Sequence, residues 1–198
     1  LITHPHADHY GGADMILEEV KVENIIYDNY LYPNRVLNWF YGSQAKLIDT
    51  TVGEKYYLGE AEFTVMCADM AEPSEDKNDY SIVIRLDYGD SSFMFTGDAE
   101  HESENDMLSY HSGSQFKADV LKLGHHGSYT SSCKAWLDAV SPTYAVASCG
   151  KDNEYGHPHT ETVEELNNRG IITFRTDEQG NVVFSSDGKN VTVVRPKI

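Results

Sequence analysis

The sequence predicts a mixed α/β fold: a four-layer αββα sandwich, with two sheets packed face to face and helices outside. Two observations carry this. Short apolar runs rich in β-branched residues alternate with helix-period segments along the chain, the pattern of sheets covered by helices. Groups of His and Asp fall where apolar runs end, and α/β folds gather their ligands at strand ends. A chain of 198 residues is long enough to bury one core, so residues 1–198 read as a single domain without repeat or linker.

The elements follow in order. Leu1 and Ile2 read as the end of a strand whose start is missing, so the domain is expected to be incomplete at its N-terminus. Tyr10–Glu19 follows the bend after the first histidines and reads as a helix. Val22–Tyr27 (VENIIY) is a short buried strand. Asn34–Tyr41 (NRVLNWFY) is a helix stopped by Gly42. Lys46–Asp49, Lys55–Leu58 and Glu62–Ala68 are strands, and Ala71–Asn78 is a polar loop. Ser81–Asp87 and Ser92–Thr96 flank Gly89-Asp90, a hairpin signal. His101 and His111 belong to a surface helix and are expected to be solvated. Val120–Leu123 is a strand and Ser131–Val140 a helix stopped before Pro142. Tyr144–Ala147 is a strand, and Thr160 opens a helix as its N-cap, with Gly170 at its end. Ile171–Phe174, Val182–Ser185 and Val191–Val194 complete the strands, with a turn at Asp187-Gly188.

Composition narrows the function. The formal charge is −17 at pH 7, from 15 Lys+Arg against 32 Asp+Glu. Non-specific nucleic-acid binding rests on a basic patch, so this balance disfavours long nucleic acid as a partner. No apolar run reaches the ~18–20 residues that a membrane helix needs. Cys67, Cys133 and Cys149 are too few and too scattered for a disulfide framework. Localisation and oligomeric state are not readable.

The chemistry sits in a few short motifs. Thr3–Gly12 reads THPHADHYGG and packs His4, His6, Asp8 and His9 at a strand-to-helix junction. Alternate residues of an extended segment share a face, so His4 and His6 can address one centre, and Asp8 and His9 a second past the bend. Imidazole and carboxylate are usual ligands of zinc and similar divalent ions. In Ser92–Glu100, SFMFTGDAE, an apolar strand ends in Gly97-Asp98. Gly-Asp alone is common in turns; beside the His cluster it reads as a shared metal ligand. In Asp119–Ser128, DVLKLGHHGS, a buried strand ends and presents His125 and His126. One reads as a metal ligand and the other as a supporting or substrate-facing group, and spacing does not say which. Gly156–Thr160, GHPHT, places His157 and His159 on an extended segment before a helix, with His157 a proton donor or phosphate contact. In Asn78–Ser81, NDYS, a polar side chain can face the first metal, or the segment can be an Asx turn.

These residues, in this order, resemble the metallo-β-lactamase-fold hydrolases. THPHADH looks like that superfamily's HxHxDH motif, TGD its bridging-aspartate motif and GHHGS its last histidine motif. NDYS, TGDAE, LKLGHHGS and YGHPH are most similar to the soluble hydrolase domain of the ComEC competence proteins and their free-standing relatives. The resemblance implies a metallo-β-lactamase fold, lacking here the strands that normally precede HxHxDH. It implies two divalent cations, Zn²⁺ or Mn²⁺: His4 and His6 on the first, Asp8, His9 and one of His125/His126 on the second, Asp98 between them. Many members carry another His ligand between HxHxDH and the bridging Asp. This chain has none between His9 and Asp98, and Asn78 lies in that region.

The expected activity is metal-dependent hydrolysis, foremost of a phosphoester in a phosphodiesterase- or nuclease-like reaction. Asp8, His126 and His157 are the candidate catalytic residues. The charge favours a small or short phosphoester as substrate. A phosphorylcholine-esterase-like enzyme, a lactonase or β-lactamase-type hydrolase, and a non-catalytic binding protein that kept the fold are the alternatives.

Overall fold

The computed structural model describes residues 1–28, 32–68 and 76–194. Residues 71–75 of the expected polar loop lie outside them. The N-terminal half gives α1 (Ala7–Tyr10), α2 (Ala13–Glu19), β1 (Asn24–Tyr27), α3 (Asn34–Gly42), β2 (Lys46–Asp49), β3 (Lys55–Leu58), β4 (Ala61–Cys67), β5 (Val83–Tyr88) and β6 (Ser91–Phe95). The remainder gives α4 (His101–Tyr110), β7 (Val120–Lys122), α5 (Lys134–Val140), β8 (Tyr144–Ala147), α6 (Thr160–Asn168), β9 (Ile172–Arg175), α7 (Thr176–Gln179), β10 (Val183–Ser186) and β11 (Val191–Val194).

One seven-stranded sheet runs in the order β3-β4-β5-β6-β7-β8-β9. Its first half is antiparallel, and Tyr88 pairs with Ser91 across the expected two-residue turn at Gly89-Asp90. From β6 to β9 the strands are parallel. Parallel neighbours need a crossover, which α4, α5 and α6 supply. β1 and β2 form a second, parallel pair, joined through α3, and β10 and β11 form a separate hairpin.

The four layers are visible in the packing. Ile26 of β1 and Ile48 of β2 pack on Phe63, Val65, Ile82 and Ile84, so the small sheet lies face to face on the large one. The opposite face of β1, with Ile25 and Tyr27, packs on Val36 and Phe40 of α3. On the far side of the large sheet, Val83, Met94, Leu121 and Ala145 meet Met107 of α4, Trp136 and Leu137 of α5 and Leu166 of α6. Burying a side chain the size of Val83, Met94 or Leu121 contributes about 1.5–3 kcal/mol. The strict alternation of Val83 and Ile84 between the two cores is the period-2 pattern of a strand covered on both faces. The two-stranded sheet covers only part of its partner and leaves an apolar cavity of about 910 Å³ lined by Leu1, Ile26, Tyr57, Phe63 and Phe95, among others.

Several sequence expectations need correction. The helix expected at Tyr10–Glu19 begins at Ala7 and breaks at Gly11-Gly12 into α1 and α2. Leu1 and Ile2 form no strand; the Ile2 N–H donates once to the Ile26 carbonyl. The helix expected from Ser131 begins at Lys134, because Ser132 is left-handed (φ 60°) and the N–H groups of Ser132 and Cys133 are taken by Glu104. Thr160 is the first residue of α6, and His159, in extended backbone, is its N-cap. His111 is not solvated: it is half-buried, 3.2 Å from the Met66 carbonyl oxygen and edge-on to Phe116. The short α7 was not legible, since TDEQ offers no apolar period.

Candidate metal centre

The centre lies where three parallel strands end. Thr96-Gly97-Asp98 follows β6, the turn Gly124–Gly127 follows β7, and Ser148 and the loop to His159 follow β8. The segment Thr3–His9 approaches from the small sheet; its Thr3 carbonyl accepts the N–H of Ile82 at 2.9 Å. Gly97 permits the approach. It is left-handed (φ 53°), and a Cβ there would come within 2.9 Å of Ser81 Oγ and 3.0 Å of Thr3 Cβ. Gly127 has the same function on the other side, where a Cβ would lie 2.7 Å from Pro158 Cβ.

Two groups of ligand atoms form here, each with its members within 4.8 Å of one another: His4, His6 and Asp98, and Asp8, His9, Asp98 and His126. Asp98 belongs to both. His4 Nε2 lies 3.0 Å from His6 Nδ1 and 3.7 Å from Asp98 Oδ2. Asp98 Oδ2 lies 3.0 Å from His9 Nε2 and 3.3 Å from His126 Nε2. His126 Nε2 is also 3.1 Å from Asp8 Oδ2.

Of the adjacent pair, His126 enters the cluster and His125 does not. Both are left-handed, with φ 57° and 42°, which turns the two rings apart. His126 Nδ1–H donates to the Ser148 carbonyl at 2.7 Å, leaving Nε2 as the nitrogen aimed at the cluster. His125 Nδ1 instead lies 2.6 Å from Glu100 Oε1, which also accepts the Thr130 hydroxyl at 2.7 Å. Among the described residues His125 joins neither group.

Burial and charge tune the centre. His4 is fully buried, and burial, helped by His9, pushes it down to about 3, so its ring is neutral and able to ligate. Burial pushes the Asp98 carboxyl up. Hydrogen bonds from His126 and His9, with the Lys122 ammonium, outweigh it and hold the carboxyl far below the usual carboxylate range. The Asp98 hydrogen bond and charge raise His126. Among the described residues, Asp98 Oδ1 is buried without a hydrogen-bond partner; Lys122 Nζ is 3.6 Å away and donates to the Gly97 carbonyl. A buried carboxylate oxygen without a donor is costly, and four imidazoles with two carboxylates are a donor set for borderline divalent ions. The residues present fit a metal pair.

Three supporting residues carried no separate signal in the sequence. Thr3 Oγ1 sits behind His4 Nδ1 (3.1 Å) and His9 Nδ1 (3.3 Å). Ser81 Oγ lies 3.3 Å from His4 Nδ1 and accepts the N–H of Asp98 at 2.9 Å. Glu100 holds His125. Each was already inside a motif read for another residue: THPHADH, NDYS and TGDAE. Asn78, for which the sequence left open a place facing the first metal or an Asx turn, joins neither group among the described residues; its N–H donates to Asp76 Oδ1 at 2.9 Å, the Asx turn, and its buried side chain has Nδ2 3.4 Å from Glu100 Oε1. His157 lies beside the cluster, its ring 5.9 Å from that of His126, and burial pushes it down to about 4. Asn153 clamps its backbone, accepting from N–H (2.9 Å) and donating to C=O (2.7 Å). His159 stands farther out, bonded to the backbone of Tyr129 and Tyr155.

With this geometry in place, comparison with known proteins gives one answer. The profile of the metallo-beta-lactamase superfamily matches residues 1–151. ComE operon protein 3 of Bacillus subtilis is 29% identical over 188 residues, covering 93% of this chain and 24% of that protein. Competence protein ComA of Neisseria gonorrhoeae is 38% identical over 130 residues, covering 64% of this chain and 19% of that protein. The chain thus spans less than a quarter of the length of these relatives. The metallo-beta-lactamase fold protein YhfI of Bacillus subtilis superposes with a TM-score of 0.54 at 11% identity, over 87% of this chain and 72% of that one. The chain belongs to the metallo-beta-lactamase superfamily, and one of these relatives, ComA, is a competence protein. No helix among its described residues is long and apolar enough to cross a membrane.

Proposed function

We propose that this member of the metallo-beta-lactamase superfamily is a hydrolase of phosphoester bonds that works with two divalent cations, Zn²⁺ or Mn²⁺. The observation that carries the reading is the pair of ligand groups sharing Asp98. His4 and His6 would hold one cation, Asp8, His9 and His126 the other, with Asp98 between them. When bound, such a pair activates water and stabilises the negative charge that develops on the ester oxygens.

The chain's own residues do the rest. Thr3 and Ser81 orient His4, and the Ser148 carbonyl orients His126, so their nitrogens are aimed before any cation arrives. Burial keeps the His157 ring neutral at pH 7, with one N–H and one lone pair. It offers that N–H to an ester oxygen as a hydrogen-bond contact. Of the two roles the sequence left open for His157, proton donor or phosphate contact, this favours the contact, since a ring with so low a pKa holds no transferable proton in the ground state. Lys122 is not available to a substrate-tracking groove, because its ammonium is committed to Gly97 and Asp98. A strongly acidic surface then favours short esters over long duplex.

The test is turnover by metal-loaded protein of a phosphodiester chromogen, cyclic dinucleotides, single-stranded oligonucleotides, long duplex DNA and nitrocefin, with Asp98→Asn as control. Hydrolysis of the short phosphodiesters, lost in the variant, is the expected result. Turnover of nitrocefin alone, or of nothing, overturns the reading.

A further inference from the structure

Three rings beside the centre lie in nearly parallel planes. His126 and His157 stack with centroids 5.9 Å apart at 26°, and His157 and Tyr155 with centroids 5.7 Å apart at 20°. The row begins at a histidine of the second ligand group and ends at a tyrosine that is 78% exposed.

The loop that presents this tyrosine is braced. His159 Nδ1 accepts the backbone N–H of Tyr129 at 3.0 Å, so its Nε2–H donates to the Tyr155 carbonyl at 3.1 Å. Asn153 pins His157 from the other side. An exposed aromatic on a fixed loop loses little further entropy when something stacks on it.

We propose that Tyr155 is a specificity-determining residue whose outer face takes an unpaired nucleobase adjoining the scissile phosphoester. The proposal rests on the phosphoester reading above and names the substrate class. Stacking on an aromatic face is worth about 1–3 kcal/mol per base and needs no positive charge. It therefore suits a chain of net charge −17, which cannot grip a phosphate backbone electrostatically. A base inside a duplex has both faces covered by its neighbours, so the ring selects single strands and frayed ends. Tyr129, another exposed tyrosine, whose ring lies 4.9 Å from that of His159, is less suited. Tyr129 borders a cavity of about 520 Å³ that is also lined by Asp76, Asp79, Glu100 and Glu102, and carboxylates there turn a phosphate backbone away.

The experiment compares a thymidine trinucleotide with an abasic trimer of the same backbone. For the metal-loaded protein, the ratio of kcat/KM between the two trimers is expected to fall about 5- to 150-fold in Tyr155→Ala, through KM, and to be retained in Tyr155→Trp. The tryptophan variant also supplies a readout independent of turnover. With metal removed, a thymidine trimer with uncharged methylphosphonate linkages should quench its added fluorescence, measured against wild type, and the abasic counterpart should not. An unchanged ratio in Tyr155→Ala, or equal quenching by both trimers, overturns the proposal. Base-dependent quenching without turnover of either trimer by the wild type overturns the phosphoester reading and leaves the stacking face standing.

Discussion

Replacing Asp98 with Asn tests the shared carboxylate directly. Because Asp98 belongs to both ligand groups, one substitution should weaken both sites, whereas independent sites would lose only one. A cation at about 100 times its Kd stabilises the folded chain by about 2.7 kcal/mol per site, so two sites give about 5 kcal/mol. For a chain of this size each kcal/mol moves Tm by roughly 2–4 °C, a rise of about 10–20 °C over the metal-free protein. If the variant raises each Kd on the order of 100-fold, the same metal concentration only equals Kd, and the gain falls to less than about 1 kcal/mol, or about 1–3 °C. The assay is thermal unfolding of each protein with chelator and with metal, beside metal content by mass spectrometry. Comparing each protein with its own metal-free form cancels the loss of the His9 and His126 hydrogen bonds. A variant that keeps one full equivalent and about half the Tm rise would refute the sharing.

Three further outcomes follow from neighbouring contacts. His126→Ala should hold at most one cation and His125→Ala the wild-type complement, read by metal content, since only His126 turns its Nε2 into the centre. His157→Ala should lower kcat/KM about 10- to 100-fold for a phosphodiester while leaving metal content unchanged, as expected for a lost substrate hydrogen bond. Glu104 is fully buried, and burial pushes it up to about 7 from an ordinary 4.5. The folded state thus keeps a proton that the unfolded chain releases. The stability this provides is full below about 4.5 and is lost as pH rises through about 7, a change on the order of 3 kcal/mol. Urea unfolding across that window should show Glu104→Gln with a flatter pH dependence than wild type, and parallel curves would remove the effect.

How much of this was legible depends on whether a residue's partner is near in sequence. His4, His6, Asp8 and His9 lie within six positions, so their convergence could be read from strand alternation and the following bend. β2, β3 and β8 could be read from apolar runs alone, because each is a short strand bounded by polar or turn residues. The choice between His125 and His126 could not. It is settled by two consecutive left-handed residues and by partners 25 and 22 positions away, Glu100 and Ser148. The late start of α5 was hidden for the same reason. Ser131 looks like an N-terminal residue of a helix until Glu104, 28 positions upstream of Ser132, takes the N–H groups that a helix start would leave open. His111 follows α4, where polarity suggests solvent, yet its partner is the Met66 carbonyl of β4.

The acid excess acquires a structural meaning at these long-range contacts. Asp119 accepts the N–H of Ser92 at 2.8 Å and ties the starts of β6 and β7 together. Glu104 fixes the turn before α5, and Glu100 fixes the turn after β7. Acidic side chains thus hold turns at both ends of these strands, and Lys122, the cation touching Asp98, is consumed internally. The surface around the centre consequently offers an anionic substrate little attraction until divalent cations arrive, and those cations are local. A phosphate within a few ångströms of them feels their charge, whereas one a Debye length away, about 8–10 Å at moderate salt, meets mainly the acidic surface. Affinity should therefore stop growing with chain length after the first few nucleotides, and what lies beyond the scissile bond must be held by uncharged contacts, the demand that an exposed aromatic face such as Tyr155 meets.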